Sequence, residues 1–425
     1  MDARRTRRIR KGVALASAGV AVSALLTACG GGSGGVPTIN LYGSASDADF
    51  DKVLGPCNAA AKGKYKIVPN LIPSDADSQR EQFVRRLAAH DDGMDILGMD
   101  VTWTAEFAEA GWIRELTGTK KTQALADVLG PPAGTAMWKN KLYAIPRSTN
   151  VQLLWRRKSL VPNAPTTWDE VLADAKKLKS AGKPYQIGIT GAQYEGLVVG
   201  FNTILSSLGG TLVNSTSTKV TVNDKTVEAL KILQNLATGG LVSASLSNAQ
   251  EPEVFAQLQT GQAAFIMNWP YVLSAMQAAD PKIAKDLAVS KLPEFKSGEE
   301  SRATLGGLNY AISTYSKHPD LAYEAAMCLR SPASQLKGAL SPAGNVPTIK
   351  SVFEQPSFKK VYPFSEDILA ELKTARPRPV TPLYQNISTV VSSTLSPPSG
   401  INPDKTAQEL KSQIQDAIDG KGILP

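Results

Sequence analysis

Met94-Asp95-Ile96-Leu97-Gly98-Met99-Asp100 decides the fold class. Residues 94–99 form a short apolar run, which reads as a buried strand, and Asp100 ends it. The flanking sequence repeats the pattern. Upstream, Thr38-Ile39-Asn40-Leu41-Tyr42 and residues 65–72 read as strands. Between them a helix presents Phe50, Val53, Leu54 and Cys57 on one face, with Ser46 and Asp49 spaced as a capping box and Pro56 as a kink. A second helix, started by Ser78 with Glu81, turns Phe83 and Leu87 inward, and residues 104–110 form a third. Strands alternating with helices predict a mostly parallel sheet covered by helices, an α/β fold.

The same reading continues downstream. Residues 137–146 predict a hairpin leading into a crossing strand, and residues 151–155 are apolar again. Thr167 and Glu170 cap a helix, residues 185–190 read as a strand, and residues 197–208 read as a buried helix closed by Gly209-Gly210. Residues 224–238 are amphipathic, Pro252 opens a short helix, and residues 263–267 are a strand running into Asn268-Trp269-Pro270-Tyr271, where Pro270 is expected to stop regular structure. Residues 304–312 form another strand, Pro319 starts a helix, residues 342–347 form a last crossing, and the tail is helical. A second α/β unit therefore occupies roughly 148–303, inserted into the first.

Arg4, Arg5, Arg7, Arg8, Arg10 and Lys11 precede an uncharged run from Gly12 to Ala28, too short for a confident membrane span. Leu26-Thr27-Ala28-Cys29 then has the form of a lipobox, with Gly30 to Gly35 as a flexible tether. Cleavage before Cys29 and lipidation of its thiol are expected to place the protein on the outer face of the cytoplasmic membrane, held by the lipid alone; an ordinary secretory signal with a chance cysteine, or an anchor that is never cut, is the alternative. Of 425 residues, 397 remain after the 28 preceding Cys29, more than one core normally holds. The formal charge of +8 falls to +3 without the leader, which carries six basic residues and Asp2, so nucleic acid is not an expected partner. Beyond Cys29 only Cys57 and Cys328 remain, either joined in the one pairing possible or as two separate buried thiols.

Much chemistry is missing. His90 and His318 are the only histidines and read as structural, no His/Cys metal cluster is available, and no nucleophile elbow or Walker loop appears. Gly30, Gly32 and Gly35 match a nucleotide-loop spacing, but no strand precedes them. Neither cofactor nor metal is expected. A carboxylate pair such as Asp100 and Glu251 leaves glycoside hydrolysis as an alternative.

Ligands of open α/β sheets bind at the carboxyl ends of strands. Asp100, Asn150 and Trp269 stand there, though each also suits a turn, a cap or the core. Glu251 precedes a helix-opening proline, Gly306-Gly307 allows close backbone approach, and Arg376-Pro377-Arg378-Pro379 holds two arginines in rigid chain. These residue types suit a sugar, whose apolar face packs on a ring and whose hydroxyls need paired donors and acceptors.

Met99-Asp100-Val101-Thr102-Trp103-Thr104, Thr149-Asn150-Val151-Gln152-Leu153-Leu154-Trp155, Glu195-Gly196-Leu197-Val198-Val199, Asn268-Trp269-Pro270, Gly306-Gly307-Leu308-Asn309 and Pro379-Val380-Thr381-Pro382-Leu383-Tyr384-Gln385 resemble the extracytoplasmic solute-binding proteins of sugar ABC transporters. Among these they are most similar to the mycobacterial trehalose-binding lipoproteins. The resemblance implies a two-lobe periplasmic-binding-protein-like fold of type II, with discontinuous lobes, a hinge and an interlobe cleft. It implies a leader over 1–28, lipidated Cys29 and tether over 29–36, one lobe from 37–147 plus 304–342, and the other from 148–303 plus 343–425. It implies a monomeric, non-catalytic receptor that captures trehalose or a related disaccharide and hands it to ABC permease subunits. Another α-glucoside or a glycerophosphodiester is the alternative ligand. By the family's pattern Asp47, Gln79, Asp100, Asn150, Glu251, Trp269, Gly307, Leu308 and Arg378 contact ligand, with Arg376 the alternative to Arg378 by register, and Cys57 pairs with Cys328.

Overall fold

The computed structural model describes residues 35–44 and 50–421, the side chains of Phe50 and Asp51 apart. The leader, Cys29, Asp47 and the Ser46/Asp49 capping box lie outside the described residues. Among the described residues eleven strands follow in chain order: β1 (Thr38–Ser44), β2 (Lys66–Ile72), β3 (Ile96–Asp100), β4 (Met137–Trp138), β5 (Lys141–Leu142), β6 (Ile145–Asn150), β7 (Leu153–Arg157), β8 (Gln186–Gly188), β9 (Ala263–Asn268), β10 (Leu287–Ser290) and β11 (Gly306–Ile312). They form two large sheets, ordered β2-β1-β3-β11-β6 and β10-β7-β9-β8, and the β4-β5 hairpin. Each large sheet carries its own apolar core, so the fold has two lobes.

The first core is sealed by Ile39, Leu41, Ile96 and Leu97 from the sheet and by Phe83, Leu87 and Phe107 from helices. Apolar residues every second position on the strands and every third or fourth on the helices bring these faces together. The second core gathers Leu154, Trp155, Phe265 and Ile266 against Val171, Val254, Ile368 and Leu372. A further helical cluster packs Leu197, Phe201 and Ile204 against Leu230, Leu233, Val391 and Leu410. It includes the helix Glu195–Ser207, every residue of which is buried.

The expectation of mostly parallel sheets needs correcting. In the first sheet β1 runs parallel to β2 and β3, but β11 runs antiparallel to both β3 and β6. The second sheet has one parallel pair, β8 with β9, and two antiparallel pairs. Local strand–helix–strand units give parallel neighbours. β11 instead arrives from the other lobe and enters beside the carboxyl end of β3, so it must run backwards along that strand. The chain passes between lobes again where Thr149 donates to the carbonyl of Val346, and Ala339, Val346 and Ile349 pack in the second core.

Two local readings shift. The second helix, Ala76–Ala88, is capped by Asp75, whose carboxylate accepts from the Ser78 N–H, rather than starting at Ser78. Pro270 does not end regular structure. With φ −58° it leads directly into the helix Tyr271–Ala279, because proline's fixed φ suits a helix start. Thr167 and Glu170 make the expected capping box. Cys57 and Cys328 are joined, linking the helices Phe50–Ala60 and Pro319–Leu329 in the first lobe.

Candidate functional site

The pairing of β3, β11 and β6 sets the floor of the site. Leu308 lies opposite Asp100, and Gly306 lies opposite Asn150. The residues expected at strand ends therefore share one edge of the first sheet. Gly307 sits between them at φ +135°, where a Cβ would stand 2.3 Å from the carbonyl oxygen of Ser148. Only glycine fits that conformation and that approach. Asp100 also caps the short turn Val101–Trp103, its Oδ1 accepting from the Thr102 N–H at 2.9 Å and the Thr102 hydroxyl at 2.7 Å. The capping role and a place at the site thus coexist.

One wall is aromatic. Trp269 follows β9 and is half-buried. A Cβ on Gly306 would come within 3.1 Å of its ring atoms Cη2 and Cζ3, and within 3.6 Å of Asn150 Cβ. The ring therefore reaches from the second lobe onto the glycine backbone of β11. Its Nε1–H donates to Glu251 Oε1 at 3.4 Å, and Tyr194 Oη donates to Glu251 Oε2 at 2.5 Å. The carbonyl of Glu251 accepts from Asn268 Nδ2 at 3.2 Å and Tyr271 Oη at 3.3 Å. Burial and the Glu251 charge push both phenols upward, so they act as donors.

The other wall is charged. Arg378 Nη1 donates to Glu195 Oε1 at 2.6 Å, and Nη2 lies 3.4 Å from both Asp100 Oδ1 and the Leu305 carbonyl. The Arg378 side chain is 2% exposed. Burial alone would lower its pKa, but Asp100, Tyr384 and Glu195 more than offset this and keep it charged. Glu195 also accepts from the hydroxyls of Tyr384 and Ser388. Burial pushes the Glu195 carboxyl up, against the pull of Arg378, Ser388 and Tyr384. Arg376, by contrast, is exposed and donates to the carbonyls of Thr374 and Ala375 beside it.

These contacts bring Asp100, Asn150, Glu251, Trp269, Gly307, Leu308 and Arg378 together. Gln79 stands apart from the chain of contacts: it is buried and its amide donates to the carbonyl of Ser74, in the loop before its own helix. His90 stacks on Tyr315, and His318 stands at the N-cap position of the helix Pro319–Leu329 without a side-chain bond to it. Among the described residues no group of His, Cys, Asp or Glu is placed to hold a metal. Sequence reasoning missed Tyr194 and Glu195 as participants. A signal was present, since Glu195 is the only charge in a thirteen-residue buried helix.

Two α/β lobes with converging acids, an arginine and a half-open tryptophan at strand ends define a binding protein of the two-lobe periplasmic class. The chain belongs to the bacterial extracellular solute-binding protein family, which it matches over residues 44–336. It is 29% identical over 362 residues to a probable ABC transporter-binding protein of Deinococcus radiodurans, covering 81% of this chain and 84% of that protein. It is 23% identical over 347 residues to a galactooligosaccharide-binding protein of Bacillus subtilis, covering 77% and 79% respectively. Among solved structures it is similar to the maltose-bound MalE3 of T. maritima, with a TM-score of 0.82 and 26% identity, covering 89% of this chain and 99% of that one.

Proposed function

We propose that the protein captures a neutral disaccharide, trehalose in the first place, and delivers it to the permease subunits of an ABC importer. One observation carries the reading. Two carboxylates, Asp100 and Glu195, hold the single guanidinium of Arg378, and a third, Glu251, accepts from a half-buried indole. The excess of acceptors suits hydroxyl donors and repels a phosphate, which disfavours a glycerophosphodiester. The indole offers an apolar face for a pyranose ring. The segments resembling the mycobacterial trehalose-binding lipoproteins support trehalose, and the relatives named for transporter binding and for galactooligosaccharide support the wider class.

In this reading Asp47, Gln79, Asp100, Asn150, Glu251, Trp269, Gly307, Leu308 and Arg378 contact the sugar. The lobes comprise 37–147 with 304–342 and 148–303 with 343–425, and close over the ligand about the hinge. The lipid on Cys29 keeps the monomer at the outer membrane face. Isothermal titration with trehalose, maltose, sucrose and glycerophosphocholine tests this. The expected result is heat with trehalose and none with the phosphodiester; silence with every sugar removes the reading. Incubation with trehalose followed by a glucose assay tests the hydrolase alternative, and released glucose would decide for it.

A further inference from the structure

Tyr194, Glu195 and Gly196 follow one another at the head of the buried helix Glu195–Ser207, and none belongs to the ligand set above. Tyr194 donates to Glu251, which accepts from Trp269 on its other oxygen. Glu195 accepts from Arg378, whose second amino group reaches Asp100 in the other lobe. Adjacent residues on one turn thus hold the aromatic wall and the charged wall. Gly196 makes the arrangement possible: a Cβ there would stand 2.0 Å from Tyr194 Oη and 2.2 Å from Cζ. The phenol lies folded over the glycine, and any larger residue must expel it from Glu251.

The turn is itself fixed. The Gly196 carbonyl accepts from Thr190 Oγ1 at 2.9 Å, and the Leu197 N–H donates to the Tyr194 carbonyl at 3.1 Å. Tyr194 and Glu195 are 9% and 7% exposed, so a ligand meets the groups they hold rather than the pair itself. Glu195 is further anchored by the hydroxyls of Tyr384 and Ser388. Each acid is oriented by donors from different elements, and its remaining lone pairs point in a direction set by this turn.

We propose that Tyr194 and Glu195 are positioning residues that set ligand specificity, Tyr194 by aligning Glu251 with the Trp269 ring and Glu195 by aligning Arg378 with Asp100. The proposal rests on the sugar-binding reading for its consequence but not for its geometry. The test therefore reads the geometry without ligand. Acrylamide quenching of Trp269, taken as the difference between a protein and its Trp269→Phe counterpart, is expected to change in Tyr194→Phe and Gly196→Ala. Hydrogen exchange over residues 376–380 is expected to rise in Glu195→Gln. Affinity for trehalose should fall about tenfold in Tyr194→Phe and Glu195→Gln, as for a lost hydrogen bond to a charged group. The melting temperature of Tyr194→Phe should stay that of the parent, which separates positioning from folding. Asp100→Asn and Glu195→Gln should combine non-additively, since they share Arg378. Unchanged quenching and affinity in Tyr194→Phe overturn the first half, and unchanged exchange or strict additivity for Glu195→Gln overturns the second. If quenching and exchange respond while no sugar binds the parent, the ligand reading falls and the positioning stands.

Discussion

Glu195 and Glu251 each occupy the first position of a helix, and each accepts from a tyrosine hydroxyl. Their surroundings then part. Glu195 is shut in with Arg378, Tyr384 and Ser388, so its charge is neutralised inside the protein. Glu251 is partly open and holds the Trp269 indole, with no cation bonded to it among the described residues. A glutamate at a helix start gains from the helix dipole in both places. What it does beyond that depends on whether the next layer brings a guanidinium or an indole. Glu371, in the last turn of the helix Ser365–Thr374, is a third and more enclosed case. It is fully buried, its Oε1 accepts from the Leu292 N–H at 2.8 Å, and its Oε2 has no hydrogen-bond partner among the described residues.

The widest expected gap lies in stability. Glu195→Ala leaves Arg378 charged in the interior and is expected to cost roughly 3–5 kcal/mol, read by denaturant unfolding. Glu251→Ala should leave the unfolding midpoint nearly unchanged. Equal losses in both would erase the distinction between an enclosed acid and an open one. The second gap lies in affinity. Trp269→Ala and Glu251→Ala are each expected to weaken trehalose binding at least about tenfold in titration calorimetry, as for anchors at the centre of a site. Unchanged affinity in both would remove the aromatic wall.

The third effect, confined to one pH range, concerns Glu371. Burial raises its carboxyl to about 7, aided by Glu300 and Asp367, against the Leu292 N–H and Lys291. The unfolded chain loses this proton near the ordinary glutamate value of about 4.3, so stability falls as pH rises from there toward 7. Glu371→Gln keeps the bond from Leu292 and removes the titration. It is expected to unfold later than the parent at pH 8, by roughly 1–3 kcal/mol, with the gap closing toward pH 5. A gap independent of pH would reject the assignment.

The alternation around Met94–Asp100 was enough to read an α/β fold, because burial of short apolar runs against amphipathic helices is a local pattern. The direction of β11 was not readable, since it depends on which lobe the chain returns from. Asp75 was missed as a cap because Ser78 and Glu81 offered the same spacing three residues later. At the site, Asp100 and Trp269 could be singled out because strand ends are visible in sequence. The roles of Gly306 beneath the indole and Gly196 beneath Tyr194 could not, because each is set by a side chain that another segment or a fold-back brings near.

By itself the sequence determined where the strands and helices fall, which residues stand at strand ends, and that two cores are needed. Patterns of apolar spacing carry that information because they act over a few residues. Only the tertiary structure decided that Arg378 rather than Arg376 is enclosed, that Trp269 rests on Gly306, and that one helix turn holds both walls. Those outcomes depend on contacts between segments distant along the chain, whose energies are settled when the lobes pack.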